Sequence, residues 1–339
     1  MTALSSHIIH PKSHQHTMST TKPLKIVLGT VSIGDKVTGP EVPAFLGEFQ
    51  QHGHVEIDTA AAYPPGKPGV TERVLGEQSG LSNWAQISAK LMGFGEAPNS
   101  TEKVREGIEA SRERLNGADF DLYYFHLPDK DTPMEEQAAA MDEACKAGNF
   151  KRFGISNFSP VQVKELLEVA ERKGYVKPSV LQVQYNLFSR RGDEDLLPLL
   201  RKHGMSLYAY SPAAAGMLSG KVNRDVADDT ESRWSKESFG GQLYVAHYHN
   251  DPIFDASRAI REVAAKHDIK GHAAGIRWVV YHSPLSNEHG DAAILGASSV
   301  EQLKENLEAV DAGRLPDEVV KTIEDVWPTV KEVAPWSWL

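Results

Sequence analysis

The chain has 339 residues, 40% hydrophobic and 24% charged, which is the make-up of a globular protein with room for one large barrel or two ordinary domains. A formal net charge of −10 and a pI near 5.8 argue against a nucleic-acid surface, which needs a basic stripe. No apolar run reaches the roughly 18 residues of a membrane span, and a single cysteine, Cys145, excludes an internal disulfide and fits a reducing, cytoplasmic setting.

Residues 1–22, "MTALSSHIIHPKSHQHTMSTTK", carry four histidines (His7, His10, His14 and His16) but no periodicity. With no partner cluster to fix a metal geometry, they read as an unstructured leader. From residue 23 to 339 one domain is expected. Short apolar or β-branched runs recur at 25–30, 55–60, 85–90, 120–126, 152–157, 180–186, 206–212 and 292–298. Helical spacing lies between them. In "TEKVREGIEASRERLNG", Val104, Ile108 and Leu115 share a face and Gly117 is a stop. In "EEQAAAMDEACKAG", Cys145 reads as a packing residue. In "SPVQVKELLEVAERKG", Ser159 is the N-cap and Pro160 the first helical residue. Alternating strands and helices imply parallel pairing. Eight units fit an α/β fold of the (β/α)₈ TIM-barrel type, whose chemistry sits at the C-terminal ends of the strands. An open dinucleotide-binding sheet is disfavoured, because "LGTVSIGD" after the first run lacks G-x-G-x-x-G. The longest irregular stretch, 213–254, contains Trp234, Tyr244, Tyr248 and His249; a loop of that length is usually functional.

Strand ends therefore nominate the reactive groups. The second run ends in Asp58, with Tyr63 just beyond in "EIDTAAAYPPG"; the third ends in Lys90 and the fourth in His126. A phenol titrates near 10, and a neighbouring ammonium is expected to lower that value. A carboxylate beside the lysine would orient it, and an imidazole would place a substrate oxygen. Together they make a general acid for a carbonyl oxygen that gains charge during reduction. The remaining histidines form no metal site. Gln184, an amide inside a buried strand, needs a hydrogen-bond partner and reads as ligand-facing.

Over nearly the whole chain after residue 23, the sequence resembles the aldo-keto reductases. "DTAAAY", "ISAK" and "YYFH" carry the resemblance, with "GISNF", "QVQYN" and "ILGASSVEQLKEN" in the same order. "YNLFSR" and the "SRW…QLY" segment resemble the aflatoxin-aldehyde reductase subgroup. The resemblance implies NADPH-dependent reduction of a small carbonyl compound, with Tyr63 as proton donor tuned by Lys90 and Asp58, and His126 orienting the carbonyl. It implies cofactor contacts from Thr30, Ser156, Asn157 and Gln184, with Tyr210 stacked on the nicotinamide. Ser211, Gly216 and Lys221 would cover the pyrophosphate, and Ser298, Ser299, Gln302 and Asn306 the adenosine half, at a helix N-terminus suited to phosphate. The subgroup implies a homodimer. It also leaves open a different role, a cofactor-sensing regulatory subunit of a channel with slow turnover.

Several positions depart from the family pattern. Ser298 and Ser299 stand where many members have Lys or Arg for the 2′-phosphate, so NADH use stays open. The Tyr63 loop, "YPPGKPGVTERVLGE", is longer than usual and stiffened by Pro64, Pro65 and Pro68. Ala213 replaces a common Leu. For the substrate, Arg233, Trp234 and Tyr248 are the expected pocket residues, and Trp336 and Trp338 offer further aromatic surface.

Overall fold

The apolar runs become eight parallel strands: β1 (Lys25–Gly29), β2 (Glu56–Asp58), β3 (Gln86–Lys90), β4 (Phe120–Phe125), β5 (Phe150–Ser156), β6 (Val180–Gln184), β7 (Ser206–Tyr210) and β8 (Ala292–Gly296). Each pairs with the next, and β8 closes on β1 with Lys25 opposite Ala292 and Gly29 opposite Gly296. The result is the expected (β/α)₈ barrel. It is a computed structural model that describes residues 22–225 and 234–336. The leader histidines, Arg233 and Trp338 lie outside the described residues.

Helices α1 (Glu41–Gln51), α2 (Val70–Gly76), α3 (Thr101–Arg114), α4 (Met134–Lys146), α5 (Pro160–Lys173) and α6 (Leu196–Lys202) form the crossovers between β1 and β7. The α5 boundaries follow from chemistry. The Ser159 side chain accepts from the Gln162 N–H, Gln162 reaches back to the Ser159 N–H, and Gly174 ends the helix in a left-handed conformation. Val104, Ile108 and Leu115 are buried as their spacing predicts. Cys145 packs at partial burial on α4, and burial pushes its thiol up, away from reactivity.

The stretch expected to be irregular is partly ordered. A tight turn over Ala214–Ser219 is followed, after the undescribed residues, by α7 (Phe239–Tyr248), then α8 (Asp251–Ala265) and α9 (Gly271–Tyr281). Apolar residues run round α7 rather than along one stripe, which hides it from a periodicity search. After β8 come α10 (Val300–Asp311), capped by the Ser299 side chain, and α11 (Asp317–Val330). The barrel interior is filled by Val27, Leu122, Tyr124, Val180, Tyr208 and Ile294. Its floor is polar: Lys25 Nζ donates to Glu56 at 2.6 Å and to Tyr208 Oη, while Arg152 holds Asp121 at 2.6 Å. No helix among the described residues is long and apolar enough to cross a membrane.

Candidate active site

Parallel pairing sets Asp58, Lys90 and the residue after β4, His126, side by side at the C-terminal rim. Lys90 is fully buried. Its Nζ donates to Asp58 Oδ2 at 2.6 Å, to the Thr59 carbonyl at 2.9 Å and to Tyr63 Oη at 3.5 Å. Asp58 is held on its other oxygen by Gln182 Nε2 at 2.8 Å. The Tyr63 and His126 rings meet edge to face, with centroids 5.7 Å apart. The loop after β3 passes close to His126 because position 93 is glycine, in a left-handed conformation; a Cβ there would come within 2.9 Å of the His126 Cβ. All four groups nominated from strand ends are thus brought together.

Their electrostatics differ from expectation at one point. The Tyr63 phenol titrates above the ordinary phenol value, not below it. Burial is the first cause, and the Asp58 and Tyr244 side chains add to it. The sequence shows a lysine near the phenol but not how deeply the phenol is sunk or how fully Asp58 answers that lysine. Burial also lowers the Lys90 value, opposed by Asp58 and Glu72, and raises that of Asp58, opposed by Lys90 and Gln182. His126 is pushed down to about 3, by burial and then by the Lys90 charge, so it is neutral near pH 7. Its Nδ1 is buried with no hydrogen-bond partner among the described residues.

Around these four, the rim carries the residues expected to hold a cofactor. Asn157, at φ 65°, donates to the His126 carbonyl and to Ser156 Oγ, both at 3.1 Å, and accepts from Tyr210 Oη at 2.8 Å. Gln184 Nε2 donates to His247 Nδ1 at 3.3 Å. Beyond β7 the backbone turns left-handed at Ser211 and again at Ala214, Ala215 and Gly216. A Cβ at Gly216 would meet nothing within 4 Å, so this side of the turn is open. Lys221 is exposed. At the start of α10, Gln302 Oε1 accepts from the Ser298 N–H at 2.7 Å and its hydroxyl at 2.9 Å, and Asn306 Nδ2 donates to the Gly296 carbonyl at 3.3 Å.

Three of the expected residues are engaged within the protein itself. Thr30 is fully buried, and its hydroxyl donates to the Asp58 carbonyl at 2.9 Å, bracing the β2 end. Trp234 is buried, with its indole N–H on the Ala215 carbonyl at 3.2 Å, and Tyr248 is buried with its hydroxyl accepting from Asn186 Nδ2 at 2.9 Å. Both prop the loop over β7. The aromatic nearer the chemistry is Tyr244, whose ring is 5.6 Å from that of Trp234 and whose phenol is felt by both Tyr63 and Tyr210. Val31, Met92 and Phe94 are exposed apolar groups just beyond β1 and β3, with the Phe94 ring 6.2 Å from that of His126. Trp336 lies under the Arg191 guanidinium, 3.8 Å from its ring centre.

The donors at the rim fit a nicotinamide dinucleotide. Gln184, Ser156 and Asn157 offer amide and hydroxyl groups near the four candidate residues Asp58, Tyr63, Lys90 and His126. The left-handed run at Ala214–Gly216 closes on itself, the Ala214 N–H donating to the Ser211 carbonyl at 2.9 Å and the Gly216 N–H to the Ala213 carbonyl at 3.1 Å, and leaves the open side at Gly216 where a ligand can approach the backbone. The α10 N-terminus supplies further N–H donors for a phosphate. Among the described residues no group of three side chains is disposed to hold a metal ion.

Comparison with known proteins agrees with this fold. The chain is 35% identical to an aldo-keto reductase of Pseudocercospora fijiensis, covering 86% of this chain and 99% of that protein. It is 32% identical to aflatoxin B1 aldehyde reductase member 2 of Homo sapiens, over 96% and 93% of the two chains. The structure of a glycerol dehydrogenase from Gluconobacter oxydans superposes with a TM-score of 0.69 at 26% identity, over 91% of this chain and 93% of that one. With the family profile matching residues 25–328, the chain belongs to the aldo/keto reductase family of oxidoreductases.

Proposed function

We propose that the protein reduces aldehydes or ketones to alcohols, with NADPH as hydride source and Tyr63 as proton donor. The observation that carries this reading is the Tyr63 phenol held 3.5 Å from a buried Lys90 ammonium, which is itself tied to Asp58 at 2.6 Å. Bound at the rim, the reduced nicotinamide supplies a hydride. The chain's own part is the proton. Tyr63 keeps its proton at rest, because burial and the Asp58 charge disfavour a phenolate. As the carbonyl oxygen becomes negative, the phenol proton moves to it, and the phenolate left behind faces the Lys90 ammonium. That attraction exists only once the proton has begun to leave, so it lowers the barrier rather than the ground state. His126, neutral, orients the carbonyl oxygen without competing for the proton.

For the cofactor, Gln184, Ser156 and Asn157 would take the carboxamide, Tyr210 the ring face, and the Ser211–Gly216 turn with Lys221 the pyrophosphate. Ser298, Ser299, Gln302 and Asn306 would take the adenosine half. Hydroxyls and helix N–H groups bind a 2′-phosphate less firmly than a cation does. A charge-assisted contact is worth about 1.5–3 kcal/mol, so NADPH is favoured over NADH by a modest ratio. The similarity to an aflatoxin B1 aldehyde reductase supports aldehydes as the first substrates to try. The exposed Val31, Met92 and Phe94 side chains favour apolar ones.

The test is cofactor oxidation with a panel of aldehydes, dicarbonyls and ketones, using NADPH and NADH, on wild type and Tyr63→Phe. Turnover falling by about 10²–10⁴ in the variant, with cofactor affinity unchanged, is expected of a lost general acid. Undiminished turnover in Tyr63→Phe would sink the mechanism.

A further inference from the structure

We propose that His247 is a positioning residue that fixes which way the Gln184 amide faces, so that the rim accepts a ligand amide that donates a hydrogen bond. The inference rests on the nicotinamide reading of this site and names the feature of the ligand it selects. Gln184 ends β6 and is 3% exposed. A side-chain amide has two N–H donors on nitrogen and an acceptor oxygen, and which end faces a ligand is decided by its other partners. Here Nε2 donates to His247 Nδ1 at 3.3 Å and lies 3.5 Å from Ser189 Oγ. Its Oε1 takes no donor among the described residues and is not among the sealed, unpaired buried atoms. With nitrogen engaged, oxygen is the end left for a ligand.

An imidazole can hold an amide nitrogen only if the facing ring nitrogen carries a lone pair. Burial lowers the His247 value, which favours the neutral ring. The ring is also held in place. His247 sits on α7 beside Tyr248, whose hydroxyl is fixed by Asn186 at 2.9 Å, and three residues on from Tyr244, which packs against Trp234. Trp234 in turn is bonded to the Ala215 carbonyl. The helix is thus anchored to the loops after β6 and β7, and His247 reaches the rim from a fixed backbone. Without the imidazole, the Gln184 amide could rotate by half a turn and present its N–H groups, which oppose those of a carboxamide –NH₂. The selected ligand group is therefore a primary carboxamide, and a ketone in its place loses the contact.

The experiment compares dissociation constants, read by quenching of tryptophan fluorescence, for NADPH and its reduced 3-acetylpyridine analogue, in which a methyl ketone replaces the carboxamide. Wild type is expected to prefer NADPH roughly tenfold, the value of about one hydrogen bond. His247→Leu is expected to bring the ratio near one by weakening NADPH alone. His247→Asn, whose side-chain oxygen can accept in place of Nδ1, should keep most of it. In a Gln184→Leu background, His247→Leu should have no further effect on the ratio. Should the leucine variant not fold, His247→Ala makes the same comparison. A His247→Leu protein that still prefers NADPH as strongly as wild type, or that loses both ligands equally, overturns the proposal. A wild type that binds NADPH but shows no preference overturns the carboxamide role of Gln184 itself, a failure distinct from that of His247.

Discussion

Tyr63 and His126 are adjacent rings whose proton affinities burial moves in opposite directions, and each direction has a measurable consequence. The phenol is raised, so reduction should not lose its proton donor as pH approaches about 10, where an exposed phenol would titrate. A kcat profile for carbonyl reduction that declined from neutral pH upward would contradict this. The imidazole is lowered to about 3. An unfolded histidine takes up its proton near pH 6.5, so between these values unfolding binds a proton that the folded ring refuses. The sign is then fixed. His126 contributes nothing adverse at neutral pH and costs stability as pH falls below about 6.5, by up to about 1.4 kcal/mol per pH unit. In urea titrations at pH 7 and pH 5, wild type should lose stability relative to His126→Gln on acidification. The positions of both residues were legible in the sequence because strand ends are where barrel chemistry gathers. Their proton affinities were not, because burial is a property of what packs over a residue. The same gap hid the Thr30 bond: nothing about a hydroxyl at a strand end announces that it donates to the Asp58 carbonyl.

At the scale of elements, the Tyr63 loop is held by α2. The Thr71 N–H donates to the Tyr63 carbonyl at 3.2 Å, and the Thr71 hydroxyl to the Ile33 carbonyl at 2.7 Å. Next to it, Glu72 is fully buried and takes the Arg114 Nε–H from the end of α3 at 2.6 Å. Breaking a buried pair by removing one partner leaves an uncompensated charge. Arg114→Met should therefore destabilise the fold by about 3–5 kcal/mol, read as a lowered urea midpoint with unchanged slope. Near the site the effect should reach function too, since Glu72 is among the charges that support Lys90. A stability change well under 1 kcal/mol would show the pair to be solvated. Elements of this kind were legible where a pattern is local, as in the Ser159 cap and the α3 face. Helix α7 was not, because its apolar residues encircle it. Trp234 and Tyr248 could not be assigned for a related reason: an aromatic in a long loop has the same sequence signature as a pocket wall or as a prop.

For the molecule as a whole, closing β8 onto β1 leaves no sheet edge, so rigidity is concentrated in the barrel and adaptation in the loops above it. Cofactor binding should draw those loops into the cooperative unit. At a concentration near 100 times Kd, NADPH should add about 2.7 kcal/mol to the unfolding free energy and slow proteolysis between Ser211 and Asp225; an unshifted thermal midpoint would count against binding at this face. The barrel itself was readable because buried parallel strands are short apolar runs punctuated at helical distances, a signal that survives without any tertiary knowledge. The left-handed run over β7 was not: Ala214 and Ala215 carry φ of 50° and 54°, and nothing about an alanine announces it. Such residues sit against a steric gradient of about 1–2 kcal/mol each, which the rest of the barrel offsets. This makes the turn a spring loaded during folding, and one that a designer could release. Ala215→Gly would let it relax and would raise the melting temperature, yet the same slack would loosen the turn proposed to cover the pyrophosphate. Selection for heat resistance alone would then be expected to erode that proposed contact first.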